Sequence, residues 1–147
     1  MLVSACLLGL NCKYSGGNNY NKKVAELINV YRIIPVCPEQ MAGLCTPRPA
    51  CEVEENNNIR RVISNEGIDL TESFIHGAEE VLKIAKLYNV KIAILKSKSP
   101  SCGSNFIYDG TFSGELIEGE GITAELLRKN GIKVYDEMNY FIENIDR

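Results

Sequence analysis

The spacing of apolar positions changes several times along the chain, and each change marks an element. Residues 2–8 form a mainly apolar stretch that reads as a buried β-strand, and residues 9–21, rich in Gly and Asn, read as a long loop leaving its tip. Val24, Leu27, Ile28 and Tyr31 recur at helical spacing over residues 22–31, and residues 32–36 supply a second strand. Residues 38–49 are expected to be irregular, because Pro38, Pro47 and Pro49 each remove a backbone donor and restrict the residue before them. Residues 51–55 and 59–64 are expected to pair as a hairpin across Asn56, Asn57 and Asn58, which suit a turn.

The longest helical pattern covers residues 72–89. Thr71 is placed to cap it, Phe74, Ile75, Ala78, Val81, Leu82, Ala85 and Tyr88 form its apolar stripe, and Glu79 and Lys83 stand at i, i+4. Residues 90–95 form a continuous apolar strand of the kind buried in parallel sheets. Residues 96–121 read as a second functional loop, with Phe106-Ile107-Tyr108 and Glu115-Leu116-Ile117 forming a small hairpin. Thr123 is placed to cap a helix through Asn130, Gly131 to end it, residues 132–135 to form a last strand and residues 138–145 to close the chain as a short helix. The alternation predicts an α/β fold: one Rossmann-like three-layer domain over residues 1–147, with a mainly parallel sheet and its site at the carboxyl ends of the strands.

At 147 residues the chain has room for one hydrophobic core, and a formal charge of -3 without long Lys/Arg runs gives no footprint for a stable nucleic-acid complex. A small-molecule partner is the better expectation. No apolar run approaches the roughly 18 residues of a membrane span, and no charged region precedes the first apolar stretch, so a cytoplasmic protein without a membrane partner is expected. The six cysteines include no Cys-x-x-Cys pair, which points to reduced, metal-bound or catalytic thiols and leaves a thiol-based redox protein ranked last.

Three cysteines stand where apolar runs end: Cys6, Cys37 and Cys102. If those runs are neighbouring parallel strands, the three thiols meet at one sheet edge and form a soft, sulfur-only pocket suited to zinc or an iron–sulfur cluster rather than magnesium or calcium. A closed zinc site needs a fourth ligand, for which Cys45 or Cys12 is available; the lone histidine, His76, falls beside the apolar stripe of the long helix and is assigned to packing or surface. A cubane on three cysteines leaves one iron open to substrate. Each cysteine taken alone also fits a buried hydrophobic role.

Glu39, two residues beyond Cys37, is either an acid or base or a solvated loop carboxylate. The run Lys96-Ser97-Lys98-Ser99-Pro100-Ser101-Cys102-Gly103 supplies hydroxyls, cations and backbone N–H groups for an anionic ligand. Arg48, held between Pro47 and Pro49, suits a planar substrate, a carboxylate or a structural salt bridge, and Asp109-Gly110 reads as a turn.

Taken in order, Val3-Ser4-Ala5-Cys6-Leu7-Leu8-Gly9, Pro35-Val36-Cys37-Pro38-Glu39, Thr46-Pro47-Arg48-Pro49, Lys98-Ser99-Pro100-Ser101-Cys102-Gly103 and Ile107-Tyr108-Asp109-Gly110 resemble the thiouracil desulfidase family over nearly the whole chain. The resemblance implies an oxygen-sensitive [4Fe-4S] cluster on Cys6, Cys37 and Cys102, with Cys45 able to stand in for Cys37. It also implies Glu39 and Ser99 as catalytic groups and Ser101 and Arg48 against the substrate, a thiolated nucleobase. The implied reaction is hydrolytic and non-redox and releases sulfide. The chain departs from the family pattern at Ser15, where Tyr-Asp-Gly is more common, and at Cys51, usually a small residue. The competing expectation is a non-catalytic zinc or iron–sulfur module that stores, senses or transfers sulfur.

Overall fold

The computed structural model describes residues 1–143. In chain order its elements are β1 (Leu2–Ser4), α1 (Lys22–Glu26), β2 (Ile34–Val36), α2 (Pro38–Met41), β3 (Cys51–Asn56), β4 (Ile59–Ser64), α3 (Thr71–Leu87), β5 (Ile92–Leu95), β6 (Phe106–Tyr108), β7 (Leu116–Glu118), α4 (Ile122–Lys129), β8 (Lys133–Asp136) and α5 (Tyr140–Glu143). Two 3-10 turns, Ala5–Leu8 and Leu27–Asn29, follow β1 and α1.

Four strands form a parallel sheet in the order β2-β1-β5-β8, with Leu2 paired to Ile34 on one side and Ala93 on the other. The two-residue alternation of a strand sends Leu2, Ala93 and Leu95 to one face, where they pack with Val81, Ala85 and Leu127 of α3 and α4. Val3 and Ile94 go to the other face and meet Val24 of α1 and Tyr140 of α5. Helices on both faces give the expected three layers. The chain crosses from β1 to β2 on one side and from β5 to β8 on the other, so the strand order reverses between β1 and β5. That reversal opens a crevice at the carboxyl ends.

The β3–β4 hairpin lies outside the sheet, with Val53 and Val62 packed on Phe74 and Ile107. Its turn falls at Asn57 and Asn58, whose φ values of 51° and 63° are the left-handed pair a two-residue hairpin turn requires. The β6–β7 hairpin is antiparallel, with Ile107 opposite Ile117.

Several local expectations are corrected. The first strand ends at Ser4, because Cys6 O and Leu7 O accept from Asn19 N and Asn21 N of the returning loop, which draws residues 5–8 into a 3-10 turn. Residues 22–31 are α-helical only to Glu26; Val24 is buried there, while Ile28 and Tyr31 face solvent. Residues 38–49 contain a short helix, α2, because Pro38 falls at its first turn, where the missing N–H is not needed. Thr71 is the first residue of α3 rather than its cap, its hydroxyl donating to Asp69 Oδ1 (2.5 Å) and accepting from Val62 N (2.9 Å). On the same helix Ile75 and Tyr88 are exposed, and Lys83 pairs with Glu80 at 2.6 Å instead of Glu79. Gly121 occupies the cap position of α4, which leaves Thr123 buried inside the helix. The closing helix is described through Glu143, and residues 144–145 of its expected span lie outside the described residues. Among the described residues no helix is long and apolar enough to cross a membrane.

One contact sets the position of the crevice wall. Gly77 of α3 lies so close to α2 that a Cβ there would stand 2.1 Å from Pro38 O. Only glycine allows α2, and with it Cys37 and Glu39, to sit this deep.

Candidate functional site

A cavity of about 470 Å³ opens at the carboxyl edge of the sheet, and five of the six cysteines line it: Cys6, Cys12, Cys37, Cys51 and Cys102. Cys6 sits in the turn after β1, Cys37 immediately after β2, and Cys102 on the loop after β5. The parallel pairing of the three strands brings their ends together, as the positions of the cysteines implied. Cys45 is exposed and does not line the cavity; His76 is exposed on α3.

Each of the three has polar company. Ser4 Oγ donates to Cys102 Sγ at 3.4 Å, and Ser101 Oγ stands 3.6 Å from the same sulfur, where its single proton is shared between that sulfur and Glu39 Oε2. Cys37 Sγ donates to Cys12 O at 3.7 Å. The turn carrying Cys102 is fixed by Ser99 Oγ, which accepts from Ser101 N (3.2 Å) and Cys102 N (3.0 Å), and by Thr123 N at the start of α4, which donates to Ser101 O (2.9 Å).

Burial pushes the Cys6 thiol above its ordinary pKa, while a hydrogen bond from Asn19 and the charge of Lys96 act the other way. Burial drives Cys102 up to about 12 against hydrogen bonds from Ser4 and Ser101, and burial with the neighbouring thiols Cys37 and Cys6 takes Cys12 to about 12. Cys51 is raised to about 11, first by burial and then by Glu39. At neutral pH these are protonated thiols, and a thiophilic metal binds by replacing their protons.

The donor set fits an iron–sulfur cluster: only sulfur, in an apolar setting, with Ser4, Ser101 and Asn19 directed at the sulfurs as outer-shell donors. Among the described residues no three His, Cys, Asp or Glu side chains are gathered to hold a single metal ion. A cubane asks for a wider arrangement, because each cysteine takes a separate iron.

Glu39 lies on the same cavity. Its Oε1 accepts from Arg48 Nε at 3.4 Å and its Oε2 from Ser101 Oγ at 3.3 Å, and Ser101 Oγ is 3.1 Å from Ser99 Oγ. Glu39, Ser101 and Ser99 therefore form a continuous line of exchangeable protons that ends at the cavity wall. Ser101 is 1% exposed and stands behind that wall. Arg48 also lines the cavity, yet most of its donors are committed: Nη1 to Cys45 O (3.1 Å) and Thr46 Oγ1 (2.9 Å), Nη2 to Cys12 O (2.8 Å). Its guanidinium ties two loop segments to α2.

The sequence offered Cys12 only as a fourth zinc ligand and gave no separate role to Ser4, Glu52 or Glu137. Cys12 follows no strand, and its burial comes from the loop folding back under Arg48. Ser4 was visible as a lone hydroxyl inside an apolar run. Lys96, Ser97 and Glu137 form a network in which Lys96 Nζ donates to Glu137 Oε1 (2.7 Å) and Ser97 N to Glu137 Oε2 (2.9 Å); burial pushes the Glu137 carboxyl up, but these bonds outweigh it and hold the group below its ordinary pKa. Glu52 is a buried carboxylate on β3 whose partners are backbone N–H groups far along the chain.

Comparison with known proteins agrees with this geometry. The profile of the 2-thiouracil desulfurase family matches residues 1–139. The uncharacterized protein YbbK of Bacillus subtilis (strain 168) is 40% identical over 143 residues, covering 93% of this chain and 95% of that protein. Among solved structures, the [4Fe-4S]-dependent thiouracil desulfidase TudS superposes with a TM-score of 0.86 at 39% identity, covering 95% of this chain and 91% of that one.

Proposed function

The chain belongs to the 2-thiouracil desulfurase family, and from that premise we propose that it removes sulfur from a thiolated pyrimidine in a [4Fe-4S]-dependent, hydrolytic and non-redox reaction. The observation that carries this reading is the meeting of Cys6, Cys37 and Cys102 on one cavity with Glu39 and Ser99. The three cysteines would be the cluster ligands. When bound, the cluster supplies a thiophilic Lewis acid, an open iron for the thiocarbonyl sulfur.

The side chains supply the rest. Glu39 takes a proton from the attacking water, whose oxygen adds to the carbon that bore sulfur; the C–S bond breaks, and one thiocarbonyl and one water become one carbonyl and one hydrogen sulfide. Arg48 and Ser101 hold the two oxygens of Glu39 and so fix the carboxylate at the cavity. Ser101 also passes the proton toward Ser99, whose hydroxyl delivers it to a ring heteroatom or to the departing sulfide. Their committed bonds favour Ser101 and Arg48 as positioning residues that act on the substrate through Glu39. No redox partner is needed, and the substrate is a small molecule of the cytoplasm.

Cys12 supports the competing reading, because it lies beside Cys37 and offers a fourth sulfur for a closed, non-catalytic site. One experiment separates the two. Protein purified without oxygen is assayed for iron, acid-labile sulfide and zinc, and then for release of sulfide and uracil from 2-thiouracil. About four irons and four sulfides per chain with equimolar uracil and sulfide are expected. One zinc without labile sulfide, or a full cluster that needs Cys12 and turns nothing over, overturns the proposal.

A further inference from the structure

Residues 109–114 lie between β6 and β7 and play no part in the reaction described above. We infer that they form an aromatic roof in which Phe112 stacks on the planar ring of the substrate and Glu52 is the positioning residue that holds it there. The inference deepens the proposed function, from which it takes only the planarity of the substrate.

Three observations meet here. Glu52 is 8% exposed, and its Oε2 accepts from both Gly110 N (3.0 Å) and Phe112 N (2.9 Å). A buried carboxylate between two strand residues is costly unless such bonds satisfy it, so its presence on β3 is explained by the loop it binds. Gly110, at φ 92°, lies flat on that strand: a Cβ would stand 2.9 Å from Val53 O.

The backbone of Phe112 has φ 56°, a region that a bulky side chain adopts only where its surroundings impose it. Glu52 imposes it from below. Asp109 orders the turn from the other end, accepting at Oδ1 from Thr111 N (2.9 Å) and Thr111 Oγ1 (2.6 Å). The outcome is a phenyl ring that lines the cavity while remaining 40% exposed, together with Tyr108 from β6. A ring held in an unfavourable backbone conformation and left partly exposed beside a cavity is poised for a π-faced ligand. Stacking on a base selects for a flat ring and is indifferent to its substituents, which distinguishes a thiopyrimidine from an acyclic thioamide.

The test uses the anaerobically purified holoprotein and two readouts: steady-state kinetics with 2-thiouracil, and equilibrium binding of uracil by titration calorimetry, which needs no turnover. Phe112→Ala is expected to raise KM and the uracil Kd together, by about tenfold or more, with the loss carried by KM rather than kcat. Phe112→Tyr restores both. Glu52→Ala reproduces the effect, Glu52→Gln, which keeps a carbonyl acceptor, shows less of it, and the double Ala variant is no worse than Phe112→Ala, because both act through one ring. Unchanged KM and Kd in Phe112→Ala beside an active wild type overturn the roof and leave the reaction standing. Uracil binding that weakens in Phe112→Ala, beside a wild type that releases no sulfide, supports the roof and overturns the reaction. A wild type that binds no uracil overturns the roof whatever its turnover.

Discussion

The two walls of the cavity are held in place in different ways. The sheet wall carries Ser4 on β1, Cys6 and Cys37 just past β1 and β2, and Cys102 on the loop after β5; Leu2 and Val3 of β1 and Ile94 and Leu95 of β5 are 0% exposed. Moving Cys6 means repacking both faces of the sheet. The loop wall carries Arg48, Cys51, Tyr108 and Phe112, and single side chains fix it: Arg48 ties Cys12, Cys45 and Glu39, and Glu52 ties residues 110 and 112. A reaction that needs three sulfurs at fixed separations gains from the first kind of support. Choice among substrates is better served by the second, which can be altered one residue at a time. Cys51 falls on the adjustable side.

The largest expected effect tests that division directly. Cys37→Ala removes a sulfur from the sheet wall and is expected to abolish the cluster and sulfide release, whereas Cys45→Ala, at an exposed residue off the cavity, leaves both unchanged. Iron and labile sulfide per chain in the two variants decide it. The reverse outcome would place the third ligand on the loop and break the comparison, and it would also reverse the preference for Cys37 over Cys45.

Next in size is Arg48→Met. The substitution leaves the Glu39 carboxylate without its cation and the carbonyls of Cys12 and Cys45 without a donor. Removing one member of a largely buried pair costs about 3 to 5 kcal/mol, read as a lower urea midpoint. Arg48→Lys is expected to recover less than half, since one ammonium cannot reach Glu39, Cys12 O and Cys45 O at once. A cost under about 1 kcal/mol for Arg48→Met would show that the loop wall is held by packing after all.

The same division decides what the sequence revealed. Apolar runs ending in cysteine announced the sheet wall, because a buried parallel strand has few other ways to be written and a thiol at its end is conspicuous. The loop wall was obscure because its order comes from pairings such as Glu52 with Gly110 and Arg48 with Cys12 O, which join distant residues and leave no local period. Pro38 read as a breaker because proline removes a backbone donor and restricts the residue before it, yet at the first turn of a helix proline is welcome. The extent of β1 was overestimated for a similar reason: residues 5–8 are as apolar as a strand but bend to meet Asn19 and Asn21. Glu137 became visible only once the chain crossing brought Lys96 beside it, and the placing of Cys12 next to Cys37 likewise rests on a long-range contact.

The smallest expected effect sharpens the comparison on the sheet side, where one network is electrostatic rather than apolar. Glu137, past the end of β8, accepts from Lys96 Nζ and from Ser97 N and Oγ at the end of β5. Its native pKa is depressed, so between that value and the ordinary carboxylate value of about 4.3 the unfolded chain binds more protons than the native one, and stability rises with pH across that interval. The contribution is fully present above about pH 4.3 and is lost as pH falls through the native pKa. Glu137→Gln keeps neutral versions of the bonds and gives up the charge, an expected cost of about 1 kcal/mol at about pH 6. The other depressed carboxylates, such as Asp69 and Asp109, titrate alike in both proteins and cancel in the difference, while the raised thiols titrate far above this range. Urea unfolding of the two proteins from about pH 6 to about pH 3 should therefore show a gap that narrows only below about pH 4.3. A gap of constant size would mean that Glu137 is held by shape alone, and the two ends of β5 and β8 would then be joined by packing, like the rest of the sheet wall.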